Sequence, residues 1–339
     1  MLLLRKLTIS LALFLLGAST AQGLTPVTLA LNWKAQPELG GFYQALAAGL
    51  YESQGLEVTI REGGPLVNNR PLLPAGKIDF LIATNLLQAF DATRQKLPTQ
   101  VVAAIFQRDP QCLIAHPGEA RSWESLKQSP LYMGNTGRYS FFLWMEAAHN
   151  FQRTRLRPYN HSLAPFLADT TSVVQGYATA EPIRIEEVLS KPPQVFLLAD
   201  HGWNTYSTLI ETRRDLIAEQ PELVRKFVAA SAAGWRDYLH GDNSQANALI
   251  RKANPTITPR QIKFSIGQMK ARGLIESGEA LAAGIGAIDP KRVAQHFQSL
   301  VEAGLFKPDE LEQSPLTSRQ SKERSLDATT VKRETKARS

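Results

Sequence analysis

Polar and aromatic side chains stand where predicted strands end, and their types suit the binding of a flat polar ligand. Trp33 follows an alternating apolar strand, with Asn32 before it, and an indole in this position can stack on a flat ring. Glu181 follows another predicted strand and precedes Pro182. Its carboxylate can accept hydrogen bonds from an amino or ring N–H donor. The plainer alternatives are a loop tryptophan that covers the core edge and a glutamate that complements a helix N-terminus.

Further candidate ligand contacts share a position at a strand end or near a helix start: Tyr43, Thr84, Asn85, Asn135, Thr136, Arg138 and Tyr177. The glycine-containing turn before a helix predicted to begin at Tyr139 leaves backbone N–H groups free for a ligand. Arg138 in that turn would suit an anionic group such as a sulfonate or phosphate. The alternative for Arg138 is a surface arginine at a helix start. The alternative for Tyr43 is an aromatic residue at the core edge.

Catalytic and metal-binding motifs are absent from the sequence. It contains no G-x-S-x-G, G-x-x-x-x-G-K-[ST] or H-E-x-x-H pattern. The histidines have no ligand spacing, which favours scattered surface or core positions and no metal site: His116, His149, His161, His201, His240 and His296. Cys112 is the sole cysteine, so no intrachain disulfide can form, and its apolar strand predicts an inert core thiol. We predict neither a catalytic residue nor a cofactor, and we interpret Glu186-Glu187 as a solvated helix face.

The chain's positive charge is concentrated at its ends. The 339 residues carry a formal charge of +7, but residues 314–339 hold seven Lys/Arg against three Asp/Glu, and Arg5 and Lys6 lie near the start. The body between them is nearly neutral, which argues against a nucleic-acid partner. We predict a monomer with a disordered basic tail over residues 314–339.

The first 23 residues have the pattern of a secretory signal peptide. A charged Arg5-Lys6 pair precedes a short apolar run, and Ala21-Gln22-Gly23 offers a small-residue cleavage site. The apolar run is short for a bilayer span, although an uncleaved anchor remains the alternative. We therefore predict export to the periplasm.

The elements that position the candidate residues alternate between strands and helices, which predicts an α/β fold. Residues 27–60 form a strand, a loop, a helix and a second strand, a unit that makes a parallel pair. In such sheets ligands lie beyond the carboxyl ends of the strands, where Asn32 and Trp33 stand. Strands are also predicted over residues 77–83 and 206–212, and helices over 86–95, 139–151 and 183–189. The pattern breaks at residues 107–110 and returns at Gly202, and helices dominate from Pro221.

An ordered set of motifs gives the chain a family resemblance over residues 27–311. They are Leu31-Asn32-Trp33, Phe42-Tyr43-x-Ala45, Ala48-Gly49-Leu50-Tyr51, Gly55-Leu56-x-Val58, Gly76-Lys77-Ile78-Asp79-Phe80, Gln175-Gly176-Tyr177, Glu181-Pro182, Pro221-x-x-Val224-x-x-Phe227, Ala233-Gly234 and Gly304-Leu305-Phe306. The chain resembles the periplasmic solute-binding proteins of ABC importers in the alkanesulfonate and thiamine-pyrimidine-precursor group (SsuA-like, thiamine pyrimidine synthase-like).

The resemblance implies a type II periplasmic binding protein fold, α/β with two lobes and a ligand cleft between them. It predicts lobe 1 over residues 24–110 and 203–313 and lobe 2 over residues 111–202. The implied function is delivery of a small organic solute, such as a thiamine-precursor pyrimidine, a sulfonate or a related heterocycle, to an ABC permease. Cleft closure around the ligand is the implied mechanism.

Two departures from the family pattern bear on the function. The pyrimidine-precursor branch shows Asn-Glu-Pro where this chain has Ala180-Glu181-Pro182, which leaves the ligand open. The related pyrimidine synthases carry a cofactor lysine and an iron-site histidine where this chain has Ala83 and Leu87. That difference disfavours a synthase-like enzyme, while a ligand-sensing ectodomain remains a further alternative.

Overall fold

The computed structural model describes residues 23–65, 67–310 and 315–316. The predicted signal peptide and basic tail therefore lie almost entirely outside the described residues. Within the described part, the strands are β1 Thr25–Ala30, β2 Leu56–Arg61, β3 Phe80–Asn85, β4 Thr99–Phe106, β5 Gln111–Ala115, β6 Leu131–Met133, β7 Leu156–Pro158, β8 Val173–Tyr177, β9 Gln194–Leu197 and β10 Ser207–Arg213.

Helices cover the faces and ends of these strands. They are α1 Gly40–Ala47, α2 Leu86–Arg94, α3 Trp123–Leu126, α4 Asn135–Arg138, α5 Phe141–His149, α6 Ala164–Ala168, α7 Glu181–Leu189, α8 Arg214–Glu219, α9 Pro221–His240, α10 Ser244–Ala253, α11 Pro259–Ala271, α12 Ala280–Ala283 and α13 Pro290–Glu302. Short 3-10 turns occur at Pro37–Leu39, Glu52–Gln54, Arg70–Leu72, Arg153–Arg155 and Leu198–His201. No helix in the described ranges has the length and apolar character needed to cross a membrane.

The strands form two five-stranded sheets, in the orders β2-β1-β3-β10-β4 and β7-β6-β8-β5-β9. We name the first sheet with its helices lobe 1 and the second lobe 2. In each sheet four strands run in one direction, and β10 or β5 alone runs antiparallel to both of its neighbours. The chain passes from lobe 1 to lobe 2 after β4 and returns before β10. The predicted α/β two-lobed architecture is confirmed.

Local sequence signals place several of the helices. Thr258 caps α11 and forms a capping box with Gln261, and the Asp289 side chain caps α13, each followed by proline at the first helical position. The long helix α9 packs against α1. This contact requires Gly41 and Gly234, because a Cβ at either position would lie within 3 Å of atoms of the other helix.

Some predicted boundaries are wrong. Thr84 and Asn85 lie inside β3, because their backbone pairs with β10 across the sheet. The helix predicted from Tyr139 begins at Phe141, and Asn135, Thr136 and Arg138 belong to the separate short helix α4. Helix α1 ends at Ala47, and the left-handed Gly55 ends the following Glu52–Gln54 turn.

Candidate functional site

Residues that follow parallel strands of the two lobes meet at the junction between the lobes. Trp33, just beyond β1, has its ring centroid 5.1 Å from that of His161, which follows β7 in lobe 2. Helix α11 contacts both the Pro37–Leu39 turn of lobe 1 and α7 of lobe 2. The two lobes therefore contact each other through Trp33 and His161 and along α11.

Asn32 and Trp33 are held by the strands on either side of β1. The Asn32 side-chain amide donates to the Thr84 hydroxyl over 3.1 Å, which joins the ends of β1 and β3. The backbone N–H of Gly63 donates to the Trp33 carbonyl oxygen over 3.0 Å. Trp33 keeps a partly exposed ring, so it can present an indole face to the cleft.

Glu181 is the first residue of α7, and Pro182 follows it in the first turn. Its Oε2 accepts the backbone N–H of Tyr177 over 2.7 Å, so the carboxylate is fixed at the end of β8. Burial raises the pKa of Glu181, the Tyr177 N–H and Arg184 lower it, and the nearby charge of Glu38 raises it. The carboxylate is thus a buried acceptor held where β8 leads into α7.

The other predicted residues separate into cleft, core and surface positions. Tyr177 as a whole residue is partly exposed. Burial of its hydroxyl, and then the charges of Asp109, Glu38 and Glu181, raise the pKa of that hydroxyl. Tyr43 is buried in the lobe 1 core, the alternative that its sequence position left open. Asn135 and Thr136 are exposed on α4, and Arg138 is partly buried at its end. None of these three has a hydrogen bond or ion pair to lobe 1 within the described residues.

Sequence reasoning missed a buried glutamate beside the contact between the lobes. Glu38 is 3% exposed, and its Oε1 lies 2.6 Å from the Ser265 hydroxyl of α11. The same hydroxyl lies 2.8 Å from the carbonyl oxygen of Thr179 in lobe 2. The sequence signal is a charged residue inside an otherwise apolar and glycine-rich stretch that ends in Phe42.

Two aromatic residues of lobe 2 were also missed. His161 lies between Trp33 and Tyr159, with ring centroids 5.1 and 5.2 Å away, and is an exposed residue as the sequence allowed. Burial, and then the charge of Arg184, lower its pKa. The Tyr159 hydroxyl is buried without a hydrogen-bond partner in the described structure, and burial followed by the Glu181 charge raises its pKa.

A buried carboxyl ties the two interlobe connections together. Asp109, in the first connection, accepts the Trp203 indole N–H of the second connection over 2.9 Å and the Gln111 backbone N–H over 3.1 Å. The Asn85 side chain, at the end of β3, also hydrogen-bonds to it. Burial raises the pKa of Asp109 to about 6, although these hydrogen bonds lower it in part. Asp109 therefore joins the two interlobe connections and the end of β3 in one hydrogen-bonded unit.

The Glu186-Glu187 pair does more than cover a solvated helix face. Glu186 Oε1 lies 3.4 Å from the Arg260 guanidinium, and Glu187 Oε1 lies 3.9 Å from it. Arg260 stands on α11, so this ion pair links α7 and α11 at the rim of the junction. All three side chains remain partly or largely exposed, so the face is solvated as predicted and also carries this ion pair.

In the part of the chain that the structure describes, no group of three or more His, Cys, Asp or Glu side chains could hold a metal ion. Cys112 is buried, its thiol donates toward the Gly176 carbonyl oxygen, and burial raises its pKa well above the ordinary thiol value. A protonated buried thiol is a poor nucleophile.

Gly63 fixes the position of Trp33, and its replacement tests that geometry. A Cβ at this position would lie 2.5 Å from the Leu31 carbonyl oxygen and 2.8 Å from the Trp33 nitrogen. We expect Gly63→Ala to lower the free energy of unfolding by about 1–3 kcal/mol, because the backbone must move apart. Chemical denaturation measures this change, and the shifted Trp33 should also weaken ligand binding.

The matched control is Gly267→Ala in the interior of α11. A Cβ at Gly267 would meet nothing within 4 Å, so alanine should leave stability unchanged or raise it slightly. If Gly63→Ala unfolded at the same denaturant concentration as the wild type, the close packing of Gly63 on the β1 end would be disproved.

These two sheets, two interlobe connections and a cleft at the strand ends define the class of two-lobed binding-protein folds. The chain belongs to the NMT1/THI5 like family, whose model matches residues 36–244. Among relatives of known name, it is 28% identical over 227 residues to the riboflavin-binding protein RibY of Chloroflexus aurantiacus. The match covers 64% of this chain and 63% of RibY, so it spans less than two thirds of that relative.

Solved structures confirm the fold. The periplasmic aliphatic sulphonate binding protein SsuA from Escherichia coli superposes with a TM-score of 0.60 at 14% identity, over 87% of this chain and 91% of SsuA. The periplasmic nitrate-binding protein NrtA from Synechocystis PCC 6803 superposes with a TM-score of 0.59 at 11% identity, over 84% of this chain and 83% of NrtA. At these identities the likeness concerns the fold alone.

Proposed function

We propose that this protein is the extracytoplasmic solute-binding component of an ABC importer and binds a small organic ligand in its interlobe cleft. The observation that carries the proposal is the contact of Trp33 of lobe 1 with His161 of lobe 2, whose ring also lies beside Tyr159. A stacking surface from one lobe and polar groups from the other require both lobes for a complete site. Ligand binding then favours the closed arrangement, because only that arrangement offers all the contacts.

The names of the similar proteins support this proposal. RibY is a riboflavin-binding protein, and SsuA and NrtA are periplasmic proteins that bind sulphonates and nitrate. By analogy, we place the protein in the periplasm with an ABC permease as its partner. We assign residues 24–110 and 203–313 to lobe 1 and residues 111–202 to lobe 2.

A binding role fits the cleft better than an enzymatic one. Ala83 and Leu87 are buried apolar side chains of lobe 1. Neither side chain can form a Schiff base or bind iron. The cofactor lysine and iron-site histidine of the related pyrimidine synthases therefore have no counterpart at these two positions. The cleft offers a stacking ring, carboxylates and hydroxyls, which are groups that orient a ligand.

Binding is tested by thermal-shift and calorimetric titration of the purified protein with aminopyrimidines, sulfonates and riboflavin. A ligand that binds the folded state raises the melting temperature in proportion to its concentration. We expect Trp33→Ala to weaken the binding of the active compound by about 10- to 100-fold, the usual range for a lost aromatic stacking platform.

The matched control is Tyr139→Ala, which removes an exposed aromatic ring from lobe 2 away from this contact. Its affinity should equal that of the wild type. Unchanged binding in Trp33→Ala would contradict the interlobe site, and the absence of binding to every compound would contradict the proposed solute-binding role.

A further inference from the structure

A cavity outside the cleft lies where the two interlobe connections meet the carboxyl-terminal helices of lobe 1, and we name it the hinge cavity. Its volume is about 570 Å³, within the range of roughly 300–1,000 Å³ that small-molecule sites occupy. Gln107 and Arg108 of the first connection, Asn204 of the second connection, Ser277 and the start of α13 line it. It shares no lining residue with the candidate cleft site, so a molecule bound here would contact both connections and leave the cleft free.

The wall of the hinge cavity carries more positive than negative charge. Its cations are Arg108, Lys291 and Arg292, and its carboxylates are Glu279 and Asp289. Glu279 pairs with Arg292 over 3.0 Å, and Arg108 pairs with Asp200 beyond the lining. The Asp289 carboxylate accepts the backbone N–H of Lys291 over 3.0 Å and caps α13. The exposed Lys291 ammonium has no ion pair among the described residues, so it can bind an anion.

The start of α13 adds a second reason for an anion in this cavity. The helix has 13 residues, and its first turn holds Lys291 and Arg292 and no acidic residue after the Asp289 cap. Cations at a helix start oppose the helix dipole, and an anion placed there compensates both the dipole and the two side chains. This end of the cavity therefore favours a carboxylate over a neutral group.

Polar atoms on the inner wall of the cavity have no partner, and this observation is independent of the charges. Gln107 is 0% exposed, and its amide nitrogen donates to two backbone carbonyl oxygens, but its Oε1 accepts no hydrogen bond within the described residues. The Ser277 hydroxyl and Arg292 Nε are also buried there without a partner. A Cβ built on Gly278 would lie 3.5 Å from Gln107 Oε1 and 3.6 Å from Arg292 Nη1, so an acceptor and a cation flank the same space.

We propose that the hinge cavity binds a small hydroxycarboxylate, with its carboxylate at the start of α13 beside Lys291 and its hydroxyl between Gln107 Oε1 and Ser277. A ligand hydroxyl can donate to Gln107 Oε1 and accept from the Ser277 hydroxyl at the same time. An ammonium group could also donate to Gln107, but it would place a further cation beside Arg292. This site goes beyond the proposed solute binding in the cleft and does not depend on it.

Three matched probes separate the carboxylate from the hydroxyl. The purified protein is titrated by calorimetry with L-lactate, propionate and propylene glycol, which carry both groups, the carboxylate alone and hydroxyls alone. We expect lactate to bind at least about 10-fold more tightly than propionate, and propylene glycol to show no binding. Equal affinities for lactate and propionate would overturn the role of the ligand hydroxyl.

Two variants test the two ends of the proposed site. Lys291→Gln removes an exposed ammonium and should weaken the binding of lactate and propionate by at least about 10-fold. Ser277→Ala removes a hydroxyl without a partner, so the fold is kept, and it should weaken lactate binding alone by about 3- to 10-fold. The matched control is Lys252→Gln in the last turn of α10, which should bind lactate as the wild type does.

Trp33→Ala distinguishes the hinge cavity from the cleft. Lactate binding should be unchanged in this variant, because Trp33 does not line the hinge cavity. Lactate binding that is lost in Trp33→Ala but kept in Lys291→Gln would support solute binding in the cleft and overturn the site at the hinge. Absence of lactate binding in the wild type would also overturn this site, while solute binding in the cleft is tested separately by the compounds named above.

Discussion

Arg70→Met is expected to lower the free energy of unfolding by about 3 kcal/mol, because it leaves a buried carboxylate without its cation. Glu211 is 1% exposed in β10, between β3 and β4 in the lobe 1 sheet. The Arg70 guanidinium contacts its two oxygens at 3.0 and 3.3 Å, and the Thr99 hydroxyl lies 2.5 Å from Oε1. Methionine keeps much of the side-chain length and removes both charged hydrogen bonds. Urea denaturation followed by tryptophan fluorescence measures the change.

A surface ion pair provides the control for Arg70→Met. Arg225 and Glu222 pair on the exposed side of α9, where solvent screens the interaction. Arg225→Met should therefore leave the denaturation midpoint unchanged. Adding Glu211→Gln to Arg70→Met should recover part of the lost stability, because the unpaired buried charge is then removed. A wild-type midpoint for Arg70→Met would show that water solvates Glu211 adequately without the arginine.

Asp109→Asn is expected to change how stability depends on pH, by an amount on the order of 3 kcal/mol between pH 4 and pH 7. Burial raises the pKa of Asp109 in the folded protein to about 6, against an ordinary value of 3.8. Between these values the folded chain keeps a proton that the unfolded chain has lost. The contribution of Asp109 to the free energy of unfolding is therefore greatest at low pH. It falls as the pH rises from about 4 to about 6 and is constant above that.

The readout is the difference in unfolding free energy between wild type and Asp109→Asn at several pH values. Other titrating groups contribute equally to both proteins, so their effects cancel. The amide also loses one acceptor for Trp203 or Gln111, but this cost is independent of pH. The wild type should lose stability relative to the variant across the window from pH 4 to 6. A difference that stays constant from pH 4 to 7 would contradict a proton-binding Asp109 at the hinge.

Local sequence signals predicted the elements that their own residues determine. The strand before Asn32, the proline-started helices α11 and α13, and the α/β alternation all depend on periodicity, caps and proline positions within a few residues. Boundaries failed where distant pairing decided them. Thr84 and Asn85 extend β3 because β10 pairs with them from more than 120 positions away in the chain.

The candidate site also contains residues that the local sequence indicates and residues that only tertiary packing reveals. Asn32, Trp33 and Glu181 could be selected because each is a polar or aromatic side chain directly after an apolar strand. Glu38 could not, since its partner Ser265 lies 227 positions away and only the packing of α11 brings them together. His161 gave no local signal for the same reason, because its neighbour Trp33 belongs to the other lobe.

The sequence by itself determined the class of fold and the family resemblance, because hydrophobic periodicity and short motifs act over neighbouring residues. The tertiary structure alone decided which groups meet at the junction and its connections: Trp33 with His161, Ser265 with the Thr179 carbonyl oxygen, and Asp109 with Trp203. Charge repulsion, desolvation and hydrogen-bond satisfaction depend on distances between atoms. Those distances arise only when two separate sheets and the connections between them have packed together.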